Sequence, residues 1–452
     1  MSQAVHVIGG GLAGCEAAIQ AASFSVPVIL YEMKPDKKSP AHHMEGFGEL
    51  VCSNSLKAME LSTASGLLKQ EMEVLNSVNI KCAKATQVAA GGALAVDREA
   101  FSVQMTEAVR ANPHITVINR EIRNIRDIPD GEIVIVATGP LTAEPLAESI
   151  AEDIGKPSLR FFDAAAPILY TDSIDMTIAY KAARYNKGTA DYINCPMSRE
   201  EYLTFYRELI QAETVPIHEF EESALYEGCM PIESMAKRGE DTVRFGPLKP
   251  VGLDKPDGAK NYAVVQLRQD DTEGTMYNIV GFQTRLKFGE QKRVFSLIPG
   301  LANCEFARYG VMHRNTYIQS PGILDRTYQV LSPEKFGWGE RTVFFAGQLT
   351  GVEGYMESAD SGLVAGINSA MTFLDREKVI FPYHTATGAL AAYVSEYGGK
   401  DFQPMGINFG IIREPEQMAG MKFNKKNKKE RRELVSKLAV ASIREAVNGL
   451  YV

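Results

Sequence analysis

Val5-His6-Val7-Ile8-Gly9-Gly10-Gly11-Leu12-Ala13-Gly14 is the stretch whose reading decides the fold. Four apolar residues make a short run suited to a buried strand, and the run breaks into a GxGxxG loop. Leu12 to Ala22 is rich in Ala and other helix formers, so a helix is expected to begin inside the glycine loop. Val26 to Tyr31 reads as a second strand, which closes a βαβ unit and ends at Glu32, 21 residues beyond Gly11. Each part has a mechanical use. Gly9 permits the tight turn, Gly11 lets the backbone approach a pyrophosphate, and Gly14 lets the helix pack on the strand. The N–H groups at the helix start, from Gly10 through Leu12 and Ala13, point at the phosphates. Glu32 is placed to accept hydrogen bonds from an adenosine ribose.

Two later segments narrow the choice of dinucleotide. Ile133-Val134-Ile135-Val136-Ala137-Thr138-Gly139 is an apolar strand with Thr138 and Gly139 at its end. Thr342-Val343-Phe344-Phe345-Ala346-Gly347-Gln348 is another, followed by Gly351, Gly354 and a small-residue helix through Ser358, Gly362 and Gly366. This order of three resembles the two-dinucleotide-binding flavoproteins. There the last strand and helix return to the first fingerprint and hold the flavin, which favours FAD over NAD. The expected fold is α/β, a Rossmann-type FAD domain made discontinuous by an inserted α+β domain. The FAD domain is assigned to residues 1–185 and 301–452, and the insertion to 186–300. The insertion shows helices over Ser198 to Glu213, then alternating strands at Tyr262 to Leu267 and Thr275 to Val280.

Composition excludes several classes. With 45% hydrophobic and 23% charged residues the chain is ordinary globular protein. No apolar stretch reaches the ~20 residues that span a bilayer, and the first apolar run has no basic segment before it, so a secretory signal is not expected. The six cysteines form no CxxC pair, so a zinc or thioredoxin-type site is not expected, and they read as reduced thiols in a cytoplasmic protein. The formal charge is −8, from 48 Lys and Arg against 56 Asp and Glu, which argues against a generally basic nucleic-acid coat protein. The charge is uneven, however: residues 422–437 hold eight Lys or Arg against Glu430 and Glu433, a local +6 that leaves −14 for the rest.

Cys52 in Leu50-Val51-Cys52-Ser53-Asn54-Ser55-Leu56 and Cys229 in Glu227-Gly228-Cys229-Met230-Pro231-Ile232-Glu233 stand in polar or glycine-rich surroundings that read as loops. Together with Gly9 to Ala18, Gly91 to Arg98 and Gly347 to Ser358, these segments resemble the folate- and FAD-dependent tRNA (uracil-5-)-methyltransferase family, TrmFO. That family is related to the glucose-inhibited division flavoproteins, which modify the wobble uridine and are longer. The resemblance covers essentially the whole chain. It implies methylation of C5 of the T-loop uridine in tRNA, with carbon from methylenetetrahydrofolate and reducing equivalents from NAD(P)H through FAD. By the same resemblance Cys229 is the nucleophile on uracil C6, and Cys52 is the second thiol, a candidate base for the C5 proton.

Asp97 is expected to cap a helix, with Arg98 beside it near a cofactor phosphate. Phosphate contacts to tRNA are expected from Arg285 and Lys287, and from a C-terminal cluster that includes Lys425 and Lys426. No membrane association, resident metal or obligate protein partner is expected. Three other readings stay open: a wobble-uridine-modifying subunit with a partner protein, a small-molecule flavin oxidoreductase, and a non-enzymatic FAD-stabilised binding protein.

Overall fold

Val5–Ile8 is buried along its whole length, as an apolar run must be at the centre of a parallel sheet. It pairs in parallel with Val28–Glu32 on one side and Ile133–Val136 on the other. Thr342–Phe345 adds beyond Ile133–Val136, and Ile115–Asn119 forms the opposite edge. The three strands that end in glycine-bearing loops therefore lie side by side, and the loops leave from the same end of the sheet. This computed structural model describes residues 3–155, 159–186, 189–215, 230–399, 401–418, 421, 428–448 and 450.

The helix Leu12–Ala22 follows the first strand directly. A Cβ on Gly14 would stand 1.8 Å from the Gly9 carbonyl oxygen, so only glycine lets helix and turn close on each other. The same helix packs along Tyr355–Phe373. Cβ atoms on Gly362 and Gly366 would fall 2.2 and 2.5 Å from the carbonyl oxygens of Ala13 and Ala17, so the two helices meet backbone to backbone.

A second, six-stranded sheet has the order Tyr180–Ala182, Tyr192–Met197, Ala263–Gln269, Met276–Ile279, Ile168–Tyr170 and Phe306–Arg308. It has its own apolar core, including Leu169, Ile193, Val265, Leu267, Tyr277 and Phe282, separate from the core of the parallel sheet. Ile168–Tyr170, Tyr180–Ala182 and Phe306–Arg308 fall outside the expected 186–300 insertion. Three-residue strands are too short to show an alternating pattern, so nothing in the residue order marks them. The chain leaves the first unit through Leu159–Ala164 and returns through Met312–Tyr317, and these two strands pair antiparallel with each other.

Local signals place the helix ends. Asp97 caps Arg98–Arg110, accepting the Ala100 N–H at 2.9 Å. Ser198 and Glu201 form a reciprocal capping box on Arg199–Gln211. Among the described residues no helix is long and apolar enough to cross a membrane.

Two buried carboxyls lie where three helices meet. Glu71 accepts the N–H groups of Ala386 and Thr387, both at 2.9 Å, and the Thr387 hydroxyl donates to Asp360 at 2.7 Å. Burial pushes Glu71 up to about 7 from 4.5, and burial also raises Asp360. Between those two values the folded chain holds a proton on Glu71 that the unfolded chain has released. Stability is therefore expected to fall as pH rises from 4.5 to 7, by up to about 3 kcal/mol from this group. Denaturant titrations across that range should show a flatter pH dependence for Glu71→Gln than for the wild-type chain.

Candidate active-site groove

The glycine loops enclose two connected cavities. The smaller, about 80 Å³, is lined by Gly9, Gly10, Gly11, Glu32, Lys34 and Arg120. The larger, about 330 Å³, runs past Gly11, Leu12 and Ala13 to Gly347, Gln348, Gly354 and Cys52. Thr138, Gly11, His42 and Glu49 line both, so the two form one groove along the start of the first helix. That helix has no side-chain cap, which leaves its first N–H groups for a ligand. A Cβ on Gly11 or on Gly139 would meet nothing within 4 Å, so both face open space. These features fit an extended dinucleotide: an adenosine end beside Glu32, a pyrophosphate over Gly11, and a ring system toward Cys52.

Glu32 is buried, and its carboxylate accepts the Gly10 and Lys34 N–H groups at 2.8 and 3.0 Å. It is thus locked at the turn where a ribose would approach. The Thr138 hydroxyl contacts that of Thr142 at 2.7 Å, and Thr142 donates to the Gly139 carbonyl at 2.8 Å. The Gly347 N–H donates to Ser361 at 2.7 Å, and Gln348 donates to Glu353. Gly354, at φ +122, precedes the helix Tyr355–Phe373. The structure therefore brings the twelve residues expected to hold the cofactor together, eleven on the groove wall and Gly14 packed directly behind Gly9.

Among the described cysteines, Cys52 alone is not buried. Burial pushes the thiols of Cys15, Cys82, Cys195 and Cys304 upward, which makes them poor nucleophiles. Cys52 lies at the cavity wall with its sulfur 3.7 Å from the Ala164 carbonyl. The N–H groups of Cys52 and Ser53 donate to the Tyr355 hydroxyl at 2.8 and 3.2 Å. Burial raises the Tyr355 phenol well above its ordinary value, so it stays protonated. His42 is held neutral by burial, with neighbouring Lys34 acting in the same direction. Sequence reasoning missed Tyr355, His42 and Lys57. Lys57 lines the cavity at φ +65 and pairs with Glu357 at 2.8 Å. A non-glycine residue in that conformation shows in coordinates and has no sequence signature.

Two other expectations need correction. Arg98 is buried and points away from the phosphate end: it pairs with Asp270 at 3.1 Å and donates to the Leu50 carbonyl at 2.9 Å. Arg285 is only 6% exposed and lies 4.0 Å from buried Glu233, so it is no surface phosphate contact. A sequence shows the charge of Arg285 but not the carboxylate that draws it inward. Lys287 is exposed and pairs with Glu213 at 2.6 Å. Cys229, Lys425 and Lys426 lie outside the described residues.

The fold and groove define a dinucleotide-binding α/β protein with an accessible thiol at the far end of the cofactor site. The family described as Glucose inhibited division protein A matches residues 4–377. A methylenetetrahydrofolate–tRNA-(uracil-5-)-methyltransferase TrmFO of Acetivibrio thermocellus is 60% identical over 409 residues, covering 90% of this chain and 92% of that one. The protein of that name in Bacillus subtilis is 54% identical over 442 residues, 98% of each chain. The solved structure of Aquifex aeolicus GidA superposes with a TM-score of 0.71 at 17% identity, over all of this chain and 74% of that one. The chain belongs to the Glucose inhibited division protein A family and, within it, to the TrmFO group.

Gly11 and Gly14 separate binding from folding. Gly11→Val should fold with a Tm near that of the wild type yet purify without flavin absorbance, because the new side chain occupies the open space above the helix start. Gly14→Val should fail to fold, because its Cβ has no room.

Proposed function

We propose that the chain methylates C5 of the T-loop uridine in tRNA, using methylenetetrahydrofolate as carbon donor and NAD(P)H-reduced FAD as reductant. One observation carries this reading: a single groove joins a dinucleotide site to the Cys52 thiol, in a chain 60% identical to a protein named for that reaction. FAD would be held along the groove by Glu32 at its ribose, Gly9 to Gly14 at its pyrophosphate, and Thr138, Gly139, Gly347, Gln348 and Gly354 along the remainder. When bound it supplies the reducing equivalents that complete the methyl group.

The protein's own groups handle the uracil. C5 is a poor nucleophile until a group adds at C6. The Cys229 thiolate adds there, which makes C5 enolate-like and able to attack the one-carbon unit. Cys52 then takes the C5 proton as the bond between the new carbon and its carrier breaks, which leaves an exocyclic methylene; hydride from the reducing equivalents adds to that carbon, and expulsion of Cys229 restores the C5–C6 double bond. After Cys229 the described chain resumes at Met230, and the Ile232 N–H donates at 2.7 Å to Gln283, which lines the same cavity as Cys52. The target base leaves its stack to reach these groups. Lys287, Lys425 and Lys426 supply phosphate contacts. A tRNA substrate fits a cytoplasmic location.

The test is incubation with unmodified tRNA, labelled methylenetetrahydrofolate and NADPH. Label at C5 of uridine is expected, and label obtained only from S-adenosylmethionine would overturn the reading. Cys229→Ala and Cys52→Ala should each lose methyl transfer by at least about two orders of magnitude. Both should keep bound flavin, read from its absorbance. Neutralising Lys425 and Lys426 should weaken tRNA binding and lower the salt slope by about one to two, one for each phosphate left without its lysine.

A further inference from the structure

Three arginines converge on the loop that carries Cys52. Arg98 donates to the Leu50 carbonyl at 2.9 Å and to the Cys52 carbonyl at 3.4 Å. Arg308 donates to the Val51 carbonyl at 3.1 Å. Arg268 donates to the Ser53 hydroxyl at 2.7 Å and to the Asn54 side-chain oxygen at 2.9 Å. Three successive carbonyls, Leu50 to Cys52, thus face guanidinium groups, while the N–H groups of Cys52 and Ser53 face Tyr355. A five-residue loop with no regular structure is held from both sides.

Two of these arginines belong to the second sheet, Arg268 on Ala263–Gln269 and Arg308 on Phe306–Arg308. The third, Arg98, is tied to that sheet through Asp270, at 3.1 and 3.2 Å. All three lie buried or half-buried, where water screens them weakly. Cys52 and Arg98 interact electrostatically, and a cation beside a thiol favours the thiolate.

The geometry points to Arg98, Arg268 and Arg308 as positioning residues that fix the Cys52 loop and hold its thiol ready to accept a proton, so that the second sheet controls the reactivity of a thiol carried by the first unit. This rests on reading Cys52 as the base for the uracil C5 proton. Arg98 and the neutral phenol of Tyr355 interact electrostatically with the thiol, Asp270 opposes Arg98, and Arg268 and Arg308 bear on the loop that carries it. Glu49, neutral His42, Glu353 and the Lys57–Glu357 pair line the same cavity as the thiol. The Cys52 loop thus meets three guanidinium groups, with the carboxylates of Asp270 and Glu49 acting on them.

The experiment is the pH dependence of Cys52 alkylation by iodoacetamide in the flavin-loaded protein, read peptide by peptide in the mass spectrometer. Arg308→Met should move the midpoint up by about one pH unit, while Arg308→Lys, which keeps the charge, should restore it. Asp270→Asn, which removes the opposing carboxylate at constant shape, should move it down. Arginines that only hold the loop together would give unchanged midpoints in both Arg308→Met and Asp270→Asn, and that result overturns the proposal. If Arg308→Met does not fold, the direction of the Asp270→Asn shift decides alone. No methyl transfer enters this measurement, so its failure is distinct from failure of the labelling assay.

Discussion

The backbone contact between Leu12–Ala22 and Tyr355–Phe373 is the constraint on which the rest of the groove depends. Ala13 and Ala17 lie against Gly362 and Gly366, and a single added methyl at either glycine would collide with a carbonyl. The two helices start from strands more than 300 residues apart in sequence. Their close approach brings the loop Gly347–Gly354 to the N-terminus of the first helix. A side chain between them would part the two walls of the cavity and open the site to water. The small residues cost some helix propensity, of order 1 kcal/mol for each glycine. Close packing of the faces they expose offsets that cost.

The second unit depends on the same contact at one remove. Tyr355 opens the helix Tyr355–Phe373 and accepts two N–H groups from the Cys52 loop. The other side of that loop is held by arginines tied to the second sheet. Cys52 is therefore placed jointly by both units, although its own chain segment belongs to the first. Such a thiol keeps its geometry only while the units stay docked. This suits a reaction in which a bulky substrate meets a cofactor held elsewhere.

Much of this was legible in the sequence, for physical reasons that differ from part to part. Val5–Ile8 and Leu12–Ala22 fall where the apolar run and the glycine spacing place them, because steric need at Gly9 and Gly14 leaves little choice of residue. The capping role of Asp97 was legible because a cap is a local interaction. Arg98 and Arg285 were misread because their partners, Asp270 and Glu233, lie 172 and 52 positions away. The three-residue strands of the second sheet were missed because three residues carry no period. Tyr355 and Lys57 have roles set by tertiary neighbours, which a pattern of residue types does not encode.

The net charge of −8 finally takes a more specific meaning. Several exposed cations among the described residues are already paired: Lys287 with Glu213, Arg293 with Glu290 and Glu208, and Arg431 with Glu414. An exposed pair of this kind contributes about 0–1 kcal/mol, so a phosphate can displace the carboxylate at little cost. Each exchange trades one weak contact for another and adds little net affinity. A surface built this way holds a polyanion loosely and stays sensitive to salt. An enzyme that must release each modified tRNA before accepting the next is served better by such exchange than by a fixed excess of positive charge.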